Sequence, residues 1–382
     1  MSAQIHFLGG RLSLIHIPLP LYPQFIQPIL QLLFPTEDPP RIPNNAGQEP
    51  ESWASRHPFL NISITPIECS VVCAQHYAQK LFVPVLETLK TSVDPPSITE
   101  EEFVVVQVDG EGLDAGQRVL ELTNPLALAG ISIFFITTYF SDYIIFPLRS
   151  RPAVITALER RGFAFEKHAD AFVNHSTSHR REPSSSSSPA SPNSPTNGSV
   201  VTSPTELEKR TFTLLSRSNV QPRVDPSIRL IQCAGRKEPS PDARSVAEAK
   251  LHLGLVKCLV HTPRFLSLTL TDTEPASLLL ERQLVTQFGD DDVLLGSKED
   301  ILVPITLDLR KLPLESTGIV CGVAGRLVGG TTANTGEDNG PGDGPERLEA
   351  VEMSYLSTAR AGTVMVTEQE LERAMIALQG LS

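Results

Sequence analysis

Two histidines, His175 and His179, have a spacing that could bind a metal, because residues four apart lie on one face of a helix. They stand in "HSTSH", directly before "RREPSSS", a polar tract with too few apolar residues to order a helix. A solvated pair is therefore favoured over a metal site. The sequence also lacks the HExxH signature of zinc peptidases and the GxSxG signature of serine hydrolases.

The glycine-rich stretch "GIVCGVAGRLVGG", residues 318–330, has the composition of a phosphate-binding loop. It lacks both the terminal Gly-Lys-Ser/Thr of such loops and the GxGxxG spacing of dinucleotide sites. A helix start whose small residues allow close packing is the favoured interpretation. We therefore predict a protein without enzymatic activity and without a cofactor.

Five cysteines in 382 residues are few and odd in number, which indicates reduced thiols rather than disulfides. Cys69 and Cys73 have no second pair at zinc spacing, so the pattern predicts strand residues there. A formal net charge of −12 argues against binding to nucleic acid or to anionic membranes. Prolines break the apolar N-terminal segment, and no basic segment or cleavage site frames it. We expect a cytoplasmic protein.

The most apolar stretch, residues 130–148, is "GISIFFITTYFSDYIIFPL", which is almost long enough to cross a bilayer. Its Ile, Phe, Thr and Tyr side chains favour strands over a helix, and "FSD" supplies turn chemistry near the middle. At the centre of a membrane span, Asp142 would cost roughly 2.5 to 3.5 kcal/mol. The stretch therefore predicts a hairpin of two strands.

Strand-like and helix-like stretches recur four times in the order strand, helix, strand, strand, helix. This order predicts an α+β fold of four tandem ferredoxin-like modules, with antiparallel sheets and helices on one face. Because each module has a thin core, sheets are expected to pair between modules. The predicted ranges are 8–92 for module 1, 100–170 for module 2, 174–208 for a disordered Ser/Pro-rich linker, 209–295 for module 3, and 300–380 for module 4 with a disordered insertion at 331–346.

Local patterns add three expectations. The stretch "RTFTLLSR", residues 210–217, is predicted to be the first strand of module 3. Ser150 is predicted to cap the helix "SRPAVITALERRG". Deleting residues 174–206 is expected to leave folding intact, because the tract has too few apolar residues to contribute to a core.

Four segments resemble the CASTOR family, cytosolic arginine sensors of the TOR pathway that are built from ACT domains. They are "RLSLIHIPLPLYPQFIQPILQLLF", "ISIFFITTYFSDYIIF" with its core "TTYFSDY", "STGIVCGVAGRLV" and "MSYLST". The resemblance implies four tandem ACT domains and an amino-acid site between the second and the fourth. It also implies negative regulation of TOR signalling through a partner complex.

The resemblance also implies which residues of this chain bind the ligand. They lie on one strand of module 2 and two stretches of module 4, and they are Ser132, Ile133, Glu315, Ser316, Thr317, Gly318, Ile319, Thr358, Ala359 and Gly362. Several have a structural alternative: Ser132 as the outward polar position of a strand, Gly318 as a helix-start glycine, and Ser316 with Thr317 as helix N-cap chemistry.

This chain departs from the family pattern at three matched positions. Ser316 stands where the family has an acidic residue in the turn, and Gly362 stands where it has an aspartate in the later stretch. Ala359 stands where the family has an aromatic residue in the pocket wall. A guanidinium without carboxylate partners loses the pairing that offsets its dehydration. Arginine is therefore expected to bind weakly or not at all, unless Glu315 or the acidic loop "GEDNGPGDGPE" supplies a carboxylate.

We expect a non-enzymatic sensor that binds a small amino acid or a related metabolite and reports it to a protein partner in nutrient signalling. One alternative is an ACT-fold scaffold that has lost its ligand pocket. Another is a regulatory subunit of an amino-acid biosynthetic enzyme. A homodimer is also expected, because modules 1 and 3 have sheet edges to cover.

Overall fold

The structure is a computed structural model that describes residues 4–35, 53–109, 115–165, 203–236, 241–289, 293–328 and 350–379. His175, His179, the insertion 331–346 and most of the predicted linker lie outside the described residues. Among the described helices, none combines the length and apolar character needed to cross a membrane.

Strands and helices alternate along the chain. The strands are β1 (Gln4–Phe7), β2 (Leu12–Pro18), β3 (Phe59–Ile64), β4 (Glu68–Ala74), β5 (Ser97–Ile98), β6 (Phe103–Asp109), β7 (Phe134–Thr137), β8 (Ser141–Pro147), β9 (Ala164–Phe165), β10 (Pro222–Val224), β11 (Leu230–Gly235), β12 (Leu266–Thr271), β13 (Ser277–Glu281), β14 (Leu294–Leu295), β15 (Leu302–Asp308), β16 (Ser354–Ser357) and β17 (Ala361–Thr367). The α-helices are α1 (Tyr22–Leu33), α2 (Gln75–Tyr77), α3 (Val83–Thr88), α4 (Ala115–Leu128), α5 (Arg151–Glu159), α6 (Pro204–Arg217), α7 (Pro241–Val260), α8 (Ile319–Val328) and α9 (Leu371–Gln379).

Twelve strands pair antiparallel in one closed ring. Their order is β6, β8, β7, β16, β17, β15, β11, β13, β12, β3, β4 and β2, which returns to β6. Strands β1, β5, β9, β10 and β14 extend this ring. The prediction of four tandem ferredoxin-like modules is therefore wrong, because the strands join in one closed ring.

The ring closes through strands that are distant in sequence. Strand β3 pairs with β12 along its whole length, and single bridges join Leu12 to Phe103 and Leu230 to Leu302. An unpaired sheet edge exposes N–H and C=O groups, so closing the ring satisfies groups that separate sheets would leave open. Local periodicity carries no information about such pairings. The module ranges inferred from the sequence remain predictions.

Both faces of the ring are buried. On β6, Val104 and Val106 pack with Val119 of α4 in a core beneath the helices. The alternate residues Phe103 and Val105 belong to a second core that lies inside the ring. Burial on both faces explains the continuous apolar run of β6, because neither face needs polar residues for solvent.

The hairpin predicted for residues 130–148 is confirmed. Strands β7 and β8 pair antiparallel, with Thr137 opposite Asp142. The Asp142 side chain is fully buried, and its Oδ2 accepts a hydrogen bond from Arg118 Nε at 2.9 Å. Burial raises the pKa of Asp142, although the Arg118 guanidinium opposes this shift. The charge that argued against a membrane span is thus paired inside the fold.

Two local predictions are wrong. Residues 210–217 form the end of helix α6 and not a strand, because Leu207, Thr211 and Leu215 recur every four residues and bury one helical face. Ser150 lies at the N-cap of α5, but its side chain makes no capping hydrogen bond.

The start of α6 changes the expected effect of removing the linker. Ser203 Oγ accepts a hydrogen bond from the Glu206 N–H at 3.2 Å, which caps the helix. Deleting residues 174–206 removes this cap and should lower the free energy of unfolding by about 0.5 to 2 kcal/mol. Deleting 174–202 keeps the cap and should leave the value unchanged. Urea denaturation of both chains measures the difference, and a loss of cooperative unfolding in the shorter deletion would contradict the linker assignment.

Two glycines of α8 provide a matched test of its packing. A Cβ at Gly322 would lie 2.6 Å from Thr211 Cβ, whereas a Cβ at Gly325 would meet its nearest neighbours at 3.7 Å. We expect Gly322→Ala to destabilise the protein by about 1 to 3 kcal/mol through overpacking. Gly325→Ala should be neutral or stabilise it by up to about 1 kcal/mol, since alanine is the better helix former. Equal changes in the melting temperature for the two variants would show that α6 does not pack closely against α8 at Gly322.

Candidate functional site

Two hairpins meet edge to edge and form one side of the candidate site. Strand β7 lies beside β16, with Ile136 opposite Leu356. The Phe135 N–H donates to Ser357 Oγ at 2.9 Å, and the Tyr355 N–H donates to Thr137 Oγ1 at 3.1 Å. The pairing joins the β7–β8 hairpin to the β16–β17 hairpin, which is more than 200 residues away in sequence.

Helix α6 fixes the start of α8 above this junction. Gly318, directly before α8, has φ +81°, a conformation that favours glycine. A Cβ at this position would also lie 2.9 Å from Leu207 Cδ1 of α6. Thr211 Oγ1 donates to the Gly318 carbonyl at 3.1 Å. The helix-start role predicted for Gly318 is confirmed.

A cavity lies between the hairpins and the helices. About 50 Å³ of it can hold the centre of a water molecule, and the whole empty space, including open solvent at its mouth, is about 610 Å³. Its wall combines the first turn of α8, the last turns of α4, the connection 309–316 and the facing ends of both hairpins. The positive end of α8 and the negative end of α4 therefore both lie at this cavity.

The structure brings together six of the residues that the resemblance implied. The cavity wall contains Ile133, Ser316, Gly318, Ile319, Thr358 and Ala359. The remaining four lie elsewhere: Ser132 and Glu315 line a separate groove, and Thr317 and Gly362 do not belong to the cavity wall.

Glu315 lines the adjoining groove, which shares Phe134 and Leu314 with the cavity. Its carboxylate lies 3.1 Å from Arg149, which also contacts Glu101 at 2.5 Å. The Glu315 side chain is 72% exposed, so water surrounds most of it. Ser316 Oγ donates to the Pro313 carbonyl at 2.7 Å, so this hydroxyl stabilises the turn before α8 rather than capping the helix.

Gly362 makes room for a buried tyrosine. A Cβ on Gly362 would lie 2.3 Å from the hydroxyl oxygen of Tyr355, which is closer than the two atoms can approach. The Tyr355 ring is buried and lines the cavity, and burial raises the pKa of its hydroxyl. The position that matches the family's aspartate therefore cannot carry a side chain while Tyr355 keeps this place.

The polar side chains of the wall bond mainly to the protein itself. Thr123 Oγ1 donates to the Val119 carbonyl at 2.7 Å. Burial raises the pKa of Cys321 to about 11, so its thiol stays protonated at neutral pH. The described wall residues include no charged side chain. Across the described ranges, no group of three or more His, Cys, Asp and Glu residues could hold a metal ion.

A buried carboxylate that sequence reasoning missed forms hydrogen bonds to one turn of the cavity wall. Glu68, at the start of β4, is completely buried and contacts His16 Nδ1 through Oε2. Its Oε1 accepts hydrogen bonds from Thr358 Oγ1 at 2.6 Å and from the Arg360 N–H. Because Thr358 and Ala359 line the cavity, Glu68 fixes the turn that forms this part of the wall.

Glu274 makes similar contacts at the turn of the β7–β8 hairpin, away from the cavity wall. Its carboxylate accepts hydrogen bonds from Tyr143 at 2.8 Å, from Gln107 at 2.9 Å and from Ser141. These residues lie on β6 and β8. Burial raises the pKa of Tyr143, and the nearby negative charge of Glu274 adds to this shift.

A repeated sequence pattern could have revealed these two acids. Each of four hairpin turns has Thr at its first position and a fourth residue bonded back to it, in "TPIE" (65–68), "TYFS" (138–141), "TDTE" (271–274) and "TARA" (358–361). Two of these turns end in Glu. Each Glu reaches one of the two turns that end in Ser or Ala, so the four turns form two reciprocal pairs.

Glu68→Ala should strongly destabilise the protein. The substitution leaves His16, Thr358 and the Arg360 N–H without this acceptor, and each buried polar group left unsatisfied typically costs about 1 to 3 kcal/mol. Urea denaturation measures the change.

Glu102→Ala is the matched control. Glu102 pairs with Arg11 at 3.0 Å, but the Arg11 side chain is 64% exposed. A surface pair of this kind contributes about 0.2 to 1 kcal/mol. A cost for Glu68→Ala no larger than for Glu102→Ala would contradict the role assigned to Glu68.

Comparisons with known proteins identify one segment of the chain. Residues 98–160 match the ACT domain family model, so the chain contains an ACT domain. No curated protein matches the chain.

The chain is also similar to several solved structures. The regulatory subunit of aspartate kinase from Thermus thermophilus, in its ligand-free form, has 15% identity and a TM-score of 0.26 over 40% of this chain and 93% of that one. Aspartate kinase from Synechocystis has 8% identity and a TM-score of 0.32 over 100% of this chain and 55% of that one. A protein from Agrobacterium tumefaciens has 15% identity and a TM-score of 0.27 over 44% and 93%. Within this chain, the ACT domain supplies α4 and β7 to the wall of the cavity.

Proposed function

We propose that this protein is a regulatory, non-enzymatic protein that binds a small amino acid in the cavity between α4, α8 and the two hairpins. The observation that carries the proposal is the cavity itself, which has one helix starting and another ending at its wall. The ACT domain at 98–160 supports it, because one side of the cavity belongs to that segment.

The opposed helix ends suit a zwitterion. The first N–H groups of an α-helix have no acceptor within the helix, and they favour a carboxylate. The first turn of α8, from Ile319 to Cys321, presents such groups at the wall. The C-terminal end of α4, near Ala127, carries the negative end of its dipole and favours an ammonium group. The carbonyls of Leu126 and Ala127 already accept one N–H each, so an ammonium would use their second lone pair. An α-amino acid has both charges on adjacent atoms.

The wall offers little for catalysis. A nucleophile or general base needs a reactive protonation state and a free position near the substrate. Cys321 is protonated, and Thr123 and Ser316 donate to backbone carbonyls. These contacts favour a binding site over an active site.

The resemblance to the CASTOR family suggests the context of this regulation. We extend the proposal to TOR-type nutrient signalling in the cytoplasm, in which the protein reports its ligand to a protein partner. The alternatives are a scaffold without a ligand and a regulatory subunit of an amino-acid biosynthetic enzyme. Affinity purification from native lysate distinguishes a signalling complex from a biosynthetic enzyme by the proteins recovered.

Thermal unfolding with each of the twenty amino acids tests the binding site. A ligand at 100 times its Kd should add about 2.7 kcal/mol of apparent stability, which raises the melting temperature. Ala127→Leu fills the cavity wall and should abolish the ligand-induced shift, whatever its effect on the unliganded protein. Ala129→Leu, at an exposed position just beyond α4, is the matched control and should keep the shift. A flat response to all twenty amino acids would favour the scaffold.

A further inference from the structure

We infer that the ligand of this cavity is a neutral amino acid with an aliphatic side chain, and that the cavity rejects arginine. This inference rests on the proposed function, because it names the ligand class of the same site. It follows from the chemistry of the wall, from the placement of the nearest carboxylates and from the space taken by Tyr355.

The wall presents hydrocarbon from both of its sides. Ile131 and Ile133 approach from the β7 side, and Leu312 and Val320 approach from the α8 side. Burying apolar surface against such a wall gives roughly 25 cal/mol per Å². A charged side chain placed there would lose its hydration without gaining a charged partner among the described wall residues.

The carboxylates of Glu68 and Glu315 already have partners outside the cavity. Glu68 lies behind the wall, where His16, Thr358 and the Arg360 N–H already occupy both of its oxygens. Glu315 lies outside the cavity, in the groove where it contacts Arg149 at 3.1 Å. Moving Glu68 would leave its buried partners without an acceptor, whereas moving Glu315 would cost only an exposed ion pair, which contributes little to stability.

Tyr355 occupies the place where an acidic side chain could have paired with a cationic ligand. Its hydroxyl occupies the space beside Gly362, where a Cβ would lie only 2.3 Å away. Tyr355 therefore excludes an acidic side chain at position 362, because its ring and hydroxyl fill the space that such a side chain would need. Only the backbone at the ends of α8 and α4 remains to hold charge, and that suits the shared carboxylate and ammonium of any amino acid.

Calorimetry on the full chain with leucine, isoleucine, valine, arginine, lysine and glutamate tests the inference. We expect an aliphatic amino acid to bind and arginine to bind at least about 30-fold more weakly, which corresponds to about 2 kcal/mol. The acid 4-methyl-2-oxopentanoate has the carboxylate and side chain of leucine without the ammonium. It should bind more weakly than leucine, and equal affinity would overturn the assignment to an amino acid.

Two variants make the test specific. Ile133→Asp places a carboxylate at the half-buried edge of the wall and should weaken leucine binding while strengthening arginine binding. Ile376→Asp introduces the same charge at an exposed position on α9 and should change neither. Circular dichroism of both variants confirms that they are folded. Unchanged leucine affinity in folded Ile133→Asp would contradict the inferred wall.

The outcomes separate the inference from the function on which it rests. If arginine binds the unmodified protein as tightly as leucine, the inference is wrong while the proposed function stands. Loss of that arginine binding in Glu315→Ala would identify the carboxylate responsible. If no amino acid binds, the proposed function fails as well.

Discussion

The arrangement of this molecule depends on burying both faces of a closed ring of strands. Strands such as β6 have apolar residues at successive positions, so both of their faces are buried away from water. Helices cover only the outer face. The inner face is covered by other strands of the ring, among them β2 with Leu12 and β16 with Leu356. Closing the ring therefore buries the second face and removes unpaired edges in one step.

The cavity is a consequence of this closure. When β7 and β16 become neighbours, the ends of two hairpins and the helices that precede them converge, and a space remains where α4 ends and α8 begins. Glycines bring α8 close to α6, with Gly322 against Thr211, and this contact fixes α8 from the side away from the cavity. The helix start is thus held by packing outside the cavity and does not need a ligand to define its position.

Two carboxylates, the buried Glu68 and the partly buried Glu274, determine how the hairpins fit together. Taking a carboxylate out of water is unfavourable unless its hydrogen bonds are satisfied, and misaligned hairpins would leave either acid without partners. Each acid reaches a turn in a different part of the chain, and the bonds it accepts come from both side chains and backbone. We regard these contacts as a means of fixing the relative register of the hairpins. A purely apolar contact would tolerate small displacements at lower cost.

Sequence reasoning succeeded where the signal was local. The β7–β8 hairpin followed from residue types and from "FSD", and the glycines of α8 followed from their small size. It failed for residues 210–217, where helical spacing from Leu207 to Leu215 was mistaken for a strand. It also failed for the closed ring and for Glu68, because both depend on residues hundreds of positions apart. Of the site residues that the resemblance implied, Gly318 and Ile319 lie on the wall of the candidate cavity, whereas Glu315 and Gly362 do not, and the binding role of each stays a prediction.

Residues 355 and 362 together determine whether an acidic side chain can stand beside the cavity. A glycine inside a strand weakens it, since it adds no side-chain packing and costs backbone entropy. Here it permits the close approach of Tyr355, a large buried ring whose removal would leave a cavity of its own. An aspartate at position 362 would require the tyrosine to leave, and a smaller residue at position 355 alone would open space without supplying charge. Conversion to a site for a cationic ligand therefore needs both changes at once, because each single change lowers stability before it improves binding.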